Sequence, residues 1–323
     1  MQKILIVGGA GYIGSHTLKH FAEKGYDCVV LDNLVCGHAE AVASAPLERA
    51  DLLDEGSLRA VFDKYEIGAV IHFAAYSLVG ESVVNPRKYY RNNVAGTLNL
   101  LDVMLEHEVK KIVFSSTCAT YGNPQYVPMD EKHPQAPINP YGQTKLTIEN
   151  IFKDYAAAYG LRYIALRYFN AAGAAPDGSI GESHNPESHL IPLVLKAIKG
   201  ERENIKVFGN DYETPDGTCL RDYIHVDDLA AAHRLALEKL DAFCGAINLG
   251  TGIPTSVTEI IKAAENVAGK SCPTVVEGRR AGDPARLYAD NRKAREILGW
   301  TPQYTNIEDI IRTAWNWETN RKF

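Results

Sequence analysis

The stretch Gly8-Gly9-Ala10-Gly11-Tyr12-Ile13-Gly14 sits between the apolar run Lys3–Val7 and a helical pattern at Ser15–Lys24. Glycines spaced Gly8-x-x-Gly11-x-x-Gly14 let a chain turn tightly from strand to helix. They also let backbone N–H groups approach a pyrophosphate at the helix N-terminus. Working outward, the same strand-like style recurs at Cys28–Leu31, Ala69–Phe73, Lys111–Ser115 and Tyr163–Arg167. Continuous β-branched runs separated by helical stretches predict a parallel sheet covered on both faces. This is a doubly wound α/β (Rossmann) arrangement. After about Asn170 the rhythm changes. Gly173–Pro186 reads as a loop or domain junction, and helices are expected at Leu190–Lys199, Asp227–Leu240, Val257–Ala268 and Glu308–Trp317. Thr255 or Ser256 is positioned to cap the third of these. The expected organisation is a nucleotide-binding domain over residues 1–170 and a smaller mixed α/β substrate domain over 171–323, with some chain crossing between them.

Composition narrows the function. The chain has 323 residues, 46% of them hydrophobic and 23% charged, with a net charge of −6. Such apolar content can bury a core. A mildly acidic surface argues against nucleic acid or an anionic membrane as the main partner. Six scattered cysteines without a CxxC pair argue for a reducing cytoplasm and against a disulfide frame or a zinc site. His72 and His225 lie in apolar runs and read as core residues, and the remaining histidines suggest no metal site.

Asp32 closes the second apolar run, 18 residues past Gly14. A carboxylate there accepts hydrogen bonds from ribose hydroxyls and repels a 2′-phosphate, which favours NAD over NADP. Asp51 is placed to lie near the adenine. Asn139-Pro140-Tyr141-Gly142-Gln143-Thr144-Lys145 opens a helix: Asn139 as cap, Pro140 at the first position, Tyr141 and Lys145 on one face. A free tyrosine has a pKa near 10, so lowering it about three units takes roughly 4 kcal/mol of preference for the phenolate. An ammonium within about 4–5 Å supplies a similar amount at an effective dielectric of ~20. A nicotinamide cation would add to it, and because desolvation opposes the effect both charges are needed. Ser115-Ser116-Thr117 ends the fifth strand, where ligands bind in open α/β sheets. A hydroxyl there can relay a substrate proton to Tyr141. A packing tyrosine and an exposed lysine on an ordinary helix would carry the same letters; the glycine turn and hydroxyl cluster are what set this pair apart.

These residues resemble the extended short-chain dehydrogenase/reductase family and, within it, the UDP-glucose (UDP-galactose) 4-epimerases. The resemblance runs nearly end to end. It includes GGAGYIGSH (8–16), LDNL (31–34), HFAAYSLVGES (72–82), YYRNNVAGT (89–97), FSSTCATYG (114–122) and NPYGQTK (139–145). It continues through RYFNAAGA (167–174), DGTCLRDYIHVDDLA (216–230) and GRRAGDPA (278–285). It implies an isomerase that carries tightly bound NAD, passes through a 4-keto sugar and inverts C4. Tyr141 would be the base, Lys145 its partner, and Thr117 the catalytic hydroxyl with Ser116 in reserve. Gly8, Gly11, Tyr12, Ile13, Gly14, Asp32, Asn33, Asp51, Leu52, Phe73, Ala74, Ala75, Asn93, Lys145 and Phe169 would touch NAD. Thr117, Tyr141, Asn170, Leu190, Phe208, Arg221, Tyr223, Arg280, Asp283 and Leu287 would face a UDP-sugar. Leu287 falls where the family gates space near the sugar C2 substituent. Ser77 departs from a lysine found in some members, and His189 from an asparagine. The resemblance also suggests a homodimer.

Rival readings are a 4-epimerase of another UDP-sugar, a dehydratase of the same family, a simple alcohol dehydrogenase and a non-catalytic dinucleotide sensor. Dehydratases need an acid directly after the catalytic hydroxyl; here Cys118 and Ala119 follow. A sensor needs no Thr117/Tyr141/Lys145 set.

Overall fold

The computed structural model describes residues 2–43, 45–280 and 282–323. Seven parallel strands form the main sheet. In spatial order they are Gly245–Leu249, Arg162–Tyr168, Lys111–Thr117, Ile67–His72, Lys3–Val7, Cys28–Asp32 and Leu47–Arg49. The chain order reverses beside Lys3–Val7, so the crevice at the strands' carboxyl ends opens there. One apolar layer is built from Leu5, Val70, Leu100, Met104, Phe114 and Phe152. The layer on the other face contains Ile6, Leu18, Phe21, Leu229, Leu240 and Trp300. Both faces are therefore covered, which is why these strands read as continuous apolar runs rather than alternating ones.

The expected strands are each present: Lys3–Val7 has the expected bounds, Ile67–His72 is shifted toward the N-terminus, and the other three are extended by one or two residues. The helix expected from Ser15 starts earlier, at Tyr12. Glycines lower helix propensity, yet here Gly11 is the N-cap and Gly14 sits inside the first turn. Leu190–Lys199 and Val257–Ala268 are helices with the expected bounds, and Ser256 caps the second through a reciprocal bond with Glu259. The other two are Val226–Lys239 and Ile307–Thr319.

Two later elements join the main sheet and its layers. Val226–Lys239 packs on the first helix, and Gly245–Leu249 pairs in register with Ile164–Tyr168. The remaining later elements gather round a smaller sheet centred on Leu220–His225, flanked by Asn170–Ala172, Pro254–Ser256 and Arg286–Leu287. Ile191, Val194, Ile260, Ala264 and Ile311 form its core. Among the described residues no helix is long and apolar enough to cross a membrane.

Candidate active site

The glycine turn is closed to side chains. Gly8 has φ +79°, and a Cβ there would lie 2.6 Å from the Ala74 nitrogen. At Gly14 a Cβ would come within 2.2 Å of the Gly8 carbonyl oxygen. Gly11 offers the helix no side-chain cap, so the first-turn N–H groups remain for a ligand. Asp32 is buried at the next strand end. Its carboxylate accepts from Ala10 N at 3.0 Å and Leu34 N at 2.9 Å. Burial raises its pKa and these two donors pull it back. Beside it Asn33 donates to Asp51 at 2.8 Å, and Asn33, Arg49, Ala50, Asp51, Asp54 and Ser57 line a cleft. Leu52 packs against Gly96, while Phe73 and Ala74 both donate backbone N–H to the Val7 carbonyl. An uncapped helix, a turn without room for Cβ atoms and a buried ribose-side carboxylate together fit a dinucleotide.

The catalytic helix is Pro140–Tyr159. Asn139 Oδ1 accepts from Gly142 N at 2.9 Å, with Pro140 at the first position, as the sequence predicts. Gly142 allows this helix to lie directly on the turn after Thr117: a Cβ would meet the Ala119 carbonyl oxygen at 2.4 Å. Tyr141 thereby faces the Thr117 hydroxyl. Burial pushes the Tyr141 phenol up to about 12, and Thr117 acts in the opposite direction.

Lys145 is 2% exposed and donates to the Ser115 carbonyl at 2.7 Å. Its Nζ lies 4.7 Å from the centre of the Phe114 ring and 6.0 Å from that of Tyr141. Burial pulls the amine down to about 7, with Glu149 opposing. This agrees with the sequence reading that desolvation opposes the ammonium and that a second positive charge is needed. Both groups are desolvated, and burial is the largest influence on each. A phenolate here requires further positive charge.

Two sequence assignments change in character. Ser116 points to the opposite side of its strand and donates to Glu149, which is ion-paired with Arg167 in a buried network reaching Tyr121 and Asn248. It is not a reserve catalytic hydroxyl. Period-two alternation along Lys111–Thr117 puts Ser115 and Thr117 on one face and Ser116 on the other. Asn93 uses its whole amide internally: it accepts from Tyr76 N and Asn92 Nδ2, and donates to Tyr76 O and Thr144 Oγ1. It braces the catalytic helix and has only van der Waals contact to offer a cofactor. Tyr168, absent from the sequence assignments, shares a hydrogen bond with the Ser115 hydroxyl.

The chain belongs to the NAD dependent epimerase/dehydratase family.

The family's pattern matches residues 4–250. The UDP-glucose 4-epimerase of Halalkalibacterium halodurans is 54% identical over 316 residues, covering 97% of this chain and 95% of that one. A crystal structure of the UDP-glucose 4-epimerase from Brucella ovis in complex with NAD superposes with a TM-score of 0.95 at 53% identity, covering 98% of each chain. One from Bifidobacterium longum in complex with NAD+ and UDP gives 0.94 at 40% identity, covering 99% of each.

The residues expected to face a UDP-sugar lie on and around the smaller sheet. Arg221 donates to the Leu220 and Pro284 carbonyls and reaches Asp283 at 3.4 Å. Arg280 lies over the Phe208 ring, 4.2 Å from its centre. Asn170 donates to the Asp222 carbonyl, and Tyr223 is buried beside it in the small sheet. Leu287 pairs in register with Arg221 and packs in the cluster containing Cys118, Tyr121 and Phe169. This brings the expected C2 gate to the residue that follows Thr117. Leu190 opens its helix, directly after His189. Ser77 is exposed, and Ala75 is partly buried.

Asp222 was not expected. It is fully buried and accepts from Thr251 N, Thr251 Oγ1, Gly252 N and Ala289 N, which fixes the strand carrying Arg221. Also missed is the spacing Glu182-x-His184-x-x-Glu187-x-His189, whose side chains converge in the Gly173–His189 segment. The expectation of no metal-ligating pattern does not account for it.

Proposed function

We propose that the protein interconverts UDP-galactose and UDP-glucose by inversion at the sugar C4, a reaction of galactose metabolism. The observation that carries this reading is the meeting of Thr117, Tyr141 and Lys145 beside the glycine turn. It occurs in a chain 54% identical, over 97% of its length, to a UDP-glucose 4-epimerase. The glycine turn, Asp32 and the Asn33/Asp51 cleft would hold NAD. When bound, NAD supplies hydride acceptance and return at C4, by way of a 4-keto sugar.

The chain's own residues supply the rest. Tyr141 Oη takes the proton of the 4-hydroxyl, with the Thr117 hydroxyl as relay. The phenol stays protonated until positive charge joins it, because burial alone holds it near about 12. Lys145, tied to the Ser115 carbonyl, is a proton reservoir that titrates near neutrality. Arg221 and Arg280 would neutralise the pyrophosphate, and Asp283 holds Arg221 in place before substrate arrives. No acid follows Thr117, so elimination from the keto sugar lacks its catalyst. A homodimer in the cytoplasm extends the same reading. The family resemblance supports the first, and six free cysteines support the second.

Proton NMR of UDP-galactose mixed with the purified protein, without added NAD, tests the reading. The expected result is build-up of UDP-glucose to a constant ratio. Tyr141→Phe should retain NAD and slow turnover by about 10²–10⁴-fold. Absence of conversion by NAD-loaded wild-type protein would overturn the proposal.

A further inference from the structure

Glu182, His184, Glu187 and His189 lie outside the machinery above, in the segment between the two halves. Each offers one donor atom, and the four atoms lie within 4.8 Å of one another. His184 Nδ1 is 3.1 Å from Glu182 Oε1 and 3.7 Å from Glu187 Oε2, and His189 Nδ1 is 3.7 Å from Glu187 Oε1. His189 Nδ1 also contacts Glu182 Oε1. Four donors around a tetrahedral ion at 2.0–2.1 Å would stand about 3.4 Å apart. The observed spacings straddle that value.

A second observation points the same way. The side chains of Glu182 and Glu187 are only 6% and 4% exposed. Yet Glu187 Oε2 is buried with no hydrogen-bond partner. A buried carboxylate oxygen left without a hydrogen-bond partner, 3.7 Å from the His184 nitrogen, is costly unless something sits beside it. The surrounding frame is rigid. Trp317 Nε1 donates to the Glu182 carbonyl at 2.9 Å, and the His38 ring bonds the Ser183 carbonyl at 3.1 Å. The His189 side chain is 54% exposed, which leaves an entry path.

We infer that these four residues form a binding site for one divalent transition-metal ion, with zinc the best match. Two imidazoles and two carboxylates suit zinc and its neighbours, whereas calcium and magnesium take all-oxygen shells. Two neutral imidazoles and two carboxylates leave the zinc-loaded site without net charge. The ion would have a structural task. Tyr12, inside the glycine turn, donates to the Gly173 carbonyl at 2.6 Å and meets the His184 ring edge-on. His189 immediately precedes Leu190 and its helix. A metal at this point would staple the strap between the cofactor helix and the second half.

The test starts from untagged protein isolated without chelators, with metal content measured by mass spectrometry. One equivalent of zinc, or of a neighbouring transition metal, per chain is expected. After stripping, Zn2+ should rebind against a chromophoric chelator, and Co2+ should give the visible bands of a four-coordinate site. His184→Gln and Glu187→Gln should each weaken uptake at least about tenfold while bound NAD is retained. Substoichiometric metal together with no saturable uptake would overturn the inference. So would uptake that both variants leave unchanged. If a variant fails to fold, the Co2+ spectrum of the wild-type protein decides: bands of six-coordinate cobalt or none would also overturn it.

Discussion

The two rims of the crevice meet a nucleotide with different materials. On the Gly8–Gly14 side the ligand-facing groups are backbone N–H donors and a carboxylate held by two backbone amides. On the Arg221 side the groups proposed to meet the sugar nucleotide are long cationic side chains, one braced by Asp283 and one laid on Phe208. A backbone cradle cannot be retuned by changing one side chain, since any Cβ at Gly8 or Gly14 collides with main chain. A side-chain rim can be adjusted residue by residue. The contrast teaches that the cofactor should be nearly invariant to substitution on the far rim, while the sugar nucleotide accepted should not.

The severest break is Gly14→Val. With a Cβ 2.2 Å from the Gly8 oxygen, the turn must open. Loss of bound NAD and destabilisation by upwards of about 3 kcal/mol are expected, read from released cofactor and thermal unfolding. Next is Lys145→Met, at the joint between the rims. The folded pKa of Lys145 is lowered to about 7, well below its ordinary value. The unfolded chain therefore binds the extra proton above pH 7, and stability should rise with pH from about 7 to about 10.4. Lys145→Met should remove that slope in NAD-free protein and stabilise it at pH 7 by on the order of a few kcal/mol, while abolishing turnover. Urea unfolding across pH measures both.

Arg221→Ala should raise the KM for the UDP-sugar by about 10–100-fold with NAD content unchanged, as for a lost charge-assisted hydrogen bond. A parallel loss of NAD would erase the distinction between the rims. Asp32→Asn is milder. Burial disfavours the ionised Asp32, so the NAD-free protein should keep its stability, while NAD binding weakens by about tenfold. Arg49 is paired across from Asp32 in the neighbouring strand, so NADP should now bind measurably by calorimetry. The smallest expected effect is Leu287→Tyr. It should lower the ratio of UDP-N-acetylgalactosamine to UDP-galactose turnover several-fold, within the 1–3 kcal/mol range of pocket steric changes. An unchanged ratio would remove Leu287 as the gate.

Most of the first half was legible because its information is local. The Lys3–Val7 run, the glycine spacing, Asp32 and the Asn139–Lys145 cap each announce themselves within a few residues. Leu190–Lys199 and Val257–Ala268 are bounded by their own caps, Gly200 and Ser256 among them. What stayed hidden is non-local. Nothing in Gly245–Leu249 names Arg162–Tyr168 as its partner. Asp222 looks like any strand acid until Thr251, Gly252 and Ala289 arrive around it. Ser116 was misread although strand alternation assigns its face. Glu182 and His189 were masked by the Gly- and Pro-rich stretch around them.

The placement of Gly245–Leu249 has a consequence for how the molecule is made. Arg162–Tyr168 emerges from the ribosome with one edge unpaired, and its partner follows 77 residues later. At 5–20 residues per second, that edge stands open for about 4–15 s in every newborn chain. An open parallel edge invites pairing with a neighbouring nascent chain. The most vulnerable moment of this protein's life therefore comes before the last strand of its main sheet has been translated, in the interval when the chaperones of its cell have most to do.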